Sequence, residues 1–213
     1  MRYLWFFLAF LVFGCNEKKK FHDNKAVTVI QGKTEALTDI LLFQNEINAD
    51  FKDPETSPLY DRHRKDFEGL DFFEPDTTFR VMAKLVKTPK ALSFLMPMTS
   101  NTESEYLKYG MVYFSIGKTD YQLEIYQDPS LFAEEKFKNH LFLPFTDLTN
   151  GIQSYTGGRY IDLKIPEGDS ILVDFNKAYN PYCAYNKKYS CPIVPEVNRL
   201  EVAIPAGVKA FKK

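Results

Sequence analysis

Between Phe145 and Asn198 the chain gathers side chains of the kinds that build binding and catalytic sites. The stretch FTDLTNGIQSYTGGRYID supplies Asp147, Thr149, Tyr155, Arg159 and Tyr160 around the paired glycines Gly157 and Gly158. Further on, DFNKAYNPYCAYN adds Asp174, Asn176, Tyr179, Asn180 and Asn186. An arginine presents a planar fork of donors suited to carboxylate or phosphate. Asparagines fix the orientation of a polar ligand, tyrosines combine an apolar body with a polar tip, and glycines let backbone come close to what they touch. This composition suits recognition of a small polar or anionic ligand. The alternative is hydrolysis, with Asp147 or Asp174 as general base where burial separates their pKa values. A third reading is structural: Asp147 to Gly151 is an Asx-turn sequence, Arg159 can pair with an aspartate inside the fold, and Asp174-Phe175-Asn176 can end a strand. Function would then lie in a surface that binds other proteins.

Other chemistries have less behind them. The histidines are His22, His63 and His140, dispersed along the chain, which argues against a three-histidine metal site. His140, Asp147 and Ser154 could form a nucleophilic triad, but no G-x-S-x-G elbow accompanies them. Neither a phosphate loop nor a dinucleotide fingerprint occurs, so no cofactor is indicated.

The cysteines depend on where the protein resides. The opening MRYLWFFLAFLVFGC has one basic residue, an apolar run too short to span a bilayer, and a small residue before Cys15. That is the layout of a secretory signal over residues 1–14, and VFGC resembles a lipobox that would acylate Cys15. The expectation is a bacterial cell-envelope protein, periplasmic or surface-exposed, with the membrane as partner through Cys15. Residues 15–32, including three consecutive lysines, read as anchor and flexible tether. Cys183 and Cys191 then remain as an even pair in an oxidising compartment, expected to form a disulfide. The formal net charge is −1, and loss of Arg2 leaves 26 basic against 28 acidic side chains. Such a balance gives no electrostatic pull on nucleic acid.

The elements that must position these residues follow from periodicity. Leu37, Ile40, Leu41, Gln44, Ile47 and Phe51 recur at helical spacing after Thr34 and Glu35, predicting a helix over 35–50. Ser57-Pro58 starts a second, short one through Arg64. From Phe79 the period becomes two, and MVYFSIGKTDYQLEIYQ reads as a hairpin about Gly117 to Asp120. The runs LFLPF, RYIDLKI, ILVDF and LEVAI add further strands. Residues 33–213 therefore read as a single, mainly β domain. Its fold is expected to be an antiparallel sandwich or partly closed barrel, with one long and one short helix packed at one end.

GLDFF, YGMVYFSI, LPFTDLTNGIQSYTGGRYIDL and the stretch from Asp174 to Gly207 carry the patterns F-x-D-x-T-x-G...Y-x-x-G-R-Y and D-F-N-x-A-Y-N-P-x-C...C-P. From about Ser57 to Lys209 the chain resembles a bacterial family catalogued as a domain of unknown function and often met in Bacteroidetes-type lipoproteins. The family often has two prolines where this chain has Pro181-Tyr182. The resemblance supports the choice of region and implies no reaction.

Overall fold

The computed structural model of the protein describes residues 24–212. The signal segment, Cys15 and the tether as far as residue 23 lie outside the described residues. The long helix α1 runs Asn24–Lys52, beginning well before Glu35. Ile40 and Phe51 are buried and Ile47 half-buried, in keeping with the three-and-four spacing that brings them to one face. Leu41, expected on that face, is instead half exposed beside Leu42. The second helix, α2, is confined to Asp61–Arg64. Ser57 does not cap it: its hydroxyl accepts from the Leu59 amide and donates to the Phe51 carbonyl, which ties off the end of α1. Among the described residues no helix is long and apolar enough to cross a membrane.

Seven antiparallel strands follow: β1 Arg80–Lys87, β2 Ser93–Pro97, β3 Glu103–Ile116, β4 Thr119–Gln127, β5 His140–Phe145, β6 Arg159–Lys164 and β7 Ser170–Asp174. Their order is β6-β5-β4-β3-β1-β7, and the end strands β6 and β7 approach each other, so the sheet curls into a nearly closed barrel. Strand β3 is long enough to serve two partners on one edge, β2 along Glu103 to Leu107 and β1 along Gly110 to Tyr113. The changeover falls at a bulge between Lys108 and Gly110. A side chain at Gly110 would start 2.5 Å from the Val86 carbonyl oxygen, so only glycine lets the strands close there. The β3–β4 turn is two residues, Gly117-Lys118, with Ile116 paired to Thr119 and Gly117 at φ +61°.

Alternation puts Leu85, Val112, Leu123, Ile125, Leu141 and Val173 inside the barrel. Strand β5 is buried on both faces. Leu141, Leu143 and Phe145 face the barrel core, while Phe142 packs outward against Tyr106, Tyr126 and Tyr160 in a second, aromatic cluster. A third cluster of Phe51, Leu59 and Tyr185 fastens the end of α1 to the segment after β7.

LEVAI, expected as a strand, is irregular backbone, although Leu200 and Ile204 are buried. Its amide and carbonyl groups are divided between the end of β5 and two side chains. The Leu200 amide donates to Thr146 and the Leu148 amide to Val202. Asp147 and Arg159 take the groups beyond, which removes any need for a neighbouring strand.

Candidate functional site

The residues expected to form a site divide into two populations with different surroundings. Asp147 and Arg159 lie 2.7 Å apart with both side chains at 0% exposure. The Arg159 guanidinium also donates to the Ala206 carbonyl, to the Ile204 carbonyl at 2.8 Å and, at 3.5 Å, to the Thr149 hydroxyl. The other Asp147 oxygen accepts from the amides of Thr149 (2.8 Å) and Ile204 (3.1 Å). Thr149 in turn meets Ser154 at 2.8 Å. Burial draws the guanidinium below its ordinary range, with Asp147 opposing. Phe145 and Phe73 flank it at 5.3 and 5.8 Å. Neither charge faces solvent. Its terminal nitrogens are taken by Asp147 and by the irregular 204–206 segment, which they hold against the mouth of β6, while Nε is buried without a partner.

Asp174 is likewise committed. One oxygen accepts from the amide and the side chain of Asn176, and the other meets Arg80 at 2.6 Å. Arg80 also reaches Asp39 of α1, which Lys177 approaches at 2.8 Å. Asn176 clamps the backbone of Asp76 through both its amide and its carbonyl. Asn180 donates to the Lys209 carbonyl and to Tyr185, and its own buried oxygen has no partner. Asn186 accepts from the Lys188 amide. The glycines serve the same packing. Gly158, at φ +91°, lies where a Cβ would start 2.6 Å from Val194 and 2.7 Å from the Phe145 carbonyl. The triad of His140, Asp147 and Ser154 is not assembled, because Asp147 faces Arg159 and Ser154 faces Thr149.

The second population borders a cavity of about 470 Å³ on the outer face of β5 and β6, a volume within the range of small-molecule sites. Of the expected ligand residues, Tyr160 and Tyr179 line it. Helix α1 forms one wall with Phe43, Glu46, Ile47 and Asp50. The segment entering β5 adds Asp128, Leu131 and Phe137, and the 181–192 segment adds Tyr182, Tyr189 and Cys191. The rings of Phe142 and Tyr160 meet edge to face at 4.8 Å, and Tyr160 meets Tyr179 at 90°. The Tyr160 hydroxyl is held by the Pro192 carbonyl, and burial raises the phenol pKa values of Tyr160 and Tyr179 above the ordinary range. At the mouth, Asp162 accepts from the Tyr179 hydroxyl at 2.9 Å and contacts His140 Nε2 at 2.9 Å. Glu46, Asp50 and Asp128 complete an acidic rim, and no lysine or arginine lines the cavity among the described residues. An apolar aromatic wall under a ring of carboxylates favours positive charge on an apolar body.

Sequence reasoning missed this cavity. The available signal was alternation on two buried strands: His140 and Phe142, like Tyr160 and Asp162, point away from the barrel core. A doubly buried strand implies that something covers its outer face.

Cys183 and Cys191, expected as a disulfide, are both free thiols. They are nonetheless neighbours, with the Cys183 amide donating to Cys191 Sγ at 3.2 Å. Among the described residues no group of three or more His, Cys, Asp or Glu side chains is arranged to hold a metal ion.

The barrel, its aromatic outer cavity and the locked Asp147–Arg159 corner define a mainly antiparallel β domain carried by one long helix. The chain belongs to the family described as protein of unknown function (DUF1684), whose model matches residues 65–209. It is similar to an uncharacterized protein from gene locus rrnAC0354 of Haloarcula marismortui, solved in solution by NMR. The two are 34% identical over 84% of this chain and 96% of that one, with a TM-score of 0.64. No curated protein matches the chain.

Proposed function

We propose that this chain is a lipid-anchored protein of the bacterial cell envelope whose domain binds a small organic cation, without turning it over, in the cavity between α1 and the outer face of β5–β6. The observation that carries the reading is the wall itself: phenyl and phenol rings packed edge to face beneath a rim of Glu46, Asp50, Asp128 and Asp162. A cation over aromatic faces gains about 0.5–2 kcal/mol per favourable contact, and more as water is excluded. Binding of an anion through Arg159 has less behind it, because that guanidinium has no exposed surface and its terminal nitrogens are bonded to neighbours. General-base hydrolysis through Asp147 or Asp174 loses support for the same reason. The address rests on residues 1–14 and Cys15. In the oxidising compartment it implies, Cys183 and Cys191 are free to join.

Titration calorimetry of the full-length chain in detergent tests the reading with three ligands sharing one ring: benzyltrimethylammonium, benzyl alcohol and benzoate. The expected order is cation, neutral, anion, with at least a tenfold spread in Kd, about 1.4 kcal/mol. Asp162→Asn should narrow the spread. No binding by any of the three, or a preference for benzoate, refutes it.

A further inference from the structure

The two thiols beside the cavity are built asymmetrically. Cys191 is buried and its backbone is fixed: its amide donates to the Thr99 hydroxyl at 3.0 Å and its carbonyl accepts from the Thr99 amide at 2.9 Å. The next residues continue along β2, where the Ile193 amide donates to Pro97. Cys183 sits in a short turn, Tyr182–Ala184, and is partly open to solvent. Its amide donates to Cys191 Sγ at 3.2 Å. The chain between the two cysteines is pinned by buried Tyr185 and Asn186 and then turns outward at exposed Lys187 and Lys188. One sulfur is therefore partly open to solvent, and the other is buried beside it on a fixed backbone.

We propose that Cys183 and Cys191 form a thiol–disulfide exchange site, with Cys183 as the attacking thiol, Cys191 as the resolving thiol and a small-molecule or protein disulfide as co-reactant. The Cys183 thiolate attacks one sulfur of the incoming disulfide, forming a mixed disulfide and expelling the other half as a thiolate. Cys191 then gives up its proton and attacks the Cys183 sulfur, expelling the second half. Two protein thiols are oxidised to one disulfide, and the incoming disulfide is reduced to two thiols. Contact with Cys191 above all, then with Thr99 and Tyr155, draws the Cys183 thiol below the usual range against its burial. The contact with Cys183, joined by burial, pushes Cys191 above it.

The test uses the full-length chain, reduced with dithiothreitol, desalted and exposed to oxidised glutathione, with adducts assigned by peptide mass mapping so that Cys15 is read separately. The wild type should lose both thiols, release two glutathiones and keep no adduct at either position. Cys191→Ser should accumulate one glutathione on Cys183. Cys183→Ser should modify Cys191 at least tenfold more slowly. Excess dithiothreitol should reopen the bridge without unfolding the domain. Equal rates at the two positions, persistent adducts on the wild type, or a bridge that opens only on denaturation overturns the proposal. If Cys191→Ser does not fold, iodoacetamide on the reduced wild type decides: Cys183 must react at least tenfold faster than Cys191, and equal rates overturn the assignment.

Discussion

Replacing Arg159 with methionine removes the guanidinium while nearly preserving side-chain length. Asp147 keeps the amides of Thr149 and Ile204 but loses its counter-charge in a place with no access to water. The carbonyls of Ile204 and Ala206 lose their donors at the same moment. Breaking one partner out of a buried pair costs about 3–5 kcal/mol, because the remaining charge is stranded. For a domain of this size each kcal/mol lowers Tm by about 2–4 °C, so the melt should fall by roughly 6–20 °C. Circular dichroism of the full-length chain reads the shift. Calorimetry well below the melt should find the cavity's affinity for benzyltrimethylammonium unchanged, since Arg159 does not line it. The double variant Asp147→Leu/Arg159→Met should recover part of the loss, since removing both charges leaves only unpaired amides and carbonyls. A single variant that melts within 2 °C of the wild type would refute the buried pair, and with it the argument that this corner is closed to ligands.

Two further outcomes follow from the backbone and from charge. Gly158→Ala should cost at least about 2 kcal/mol, since a positive φ and a collision with Val194 and the Phe145 carbonyl act together. Gly117→Ala, with nothing within 4 Å, should cost only about 1–2 kcal/mol of left-handed strain. Urea midpoints compare the two, and equal losses would contradict the packing described for Gly158. Lys177 foremost, with Arg80, holds the Asp39 carboxyl below its ordinary value against partial burial. A depressed carboxyl pKa stabilises the fold above the unfolded value of about 3.9, and that contribution is lost as pH falls through the lower folded value. Asp39→Asn should therefore flatten the acid limb of the stability curve, as read by urea midpoints between pH 6 and 2. Parallel curves would remove the link from α1 to the barrel.

Much of the scaffold was legible because its signals are local. The alternation of β1, the hairpin of β3 and β4, and the helical spacing of Ile40, Ile47 and Phe51 each sit within one stretch of chain. LEVAI was misread for a physical reason. It keeps the alternation of a half-buried strand, but its backbone is satisfied piecemeal by the main chain of Thr146 and Leu148 and the side chains of Asp147 and Arg159, all outside its own stretch. Strand β2 gave too little pattern, with exposed Leu95 beside buried Met96 and Pro97 at its end.

The sequence alone determined the supply of parts: a chain rich in aromatic residues, a mainly β fold, a polar stretch from Phe145 to Asn198 and two cysteines within it. Tertiary structure decided what those parts do. A carboxylate and a guanidinium look the same in a sequence whether they face a ligand or each other, and burial at 0% exposure made them a fastening. Tyr160 and Tyr179 became cavity wall only when α1, distant in sequence, closed over the outer face of β5 and β6. Local spacing fixes which way a side chain points along its own strand or helix. Which surface arrives opposite depends on contacts between segments far apart in the chain, and no short stretch of sequence carries that information.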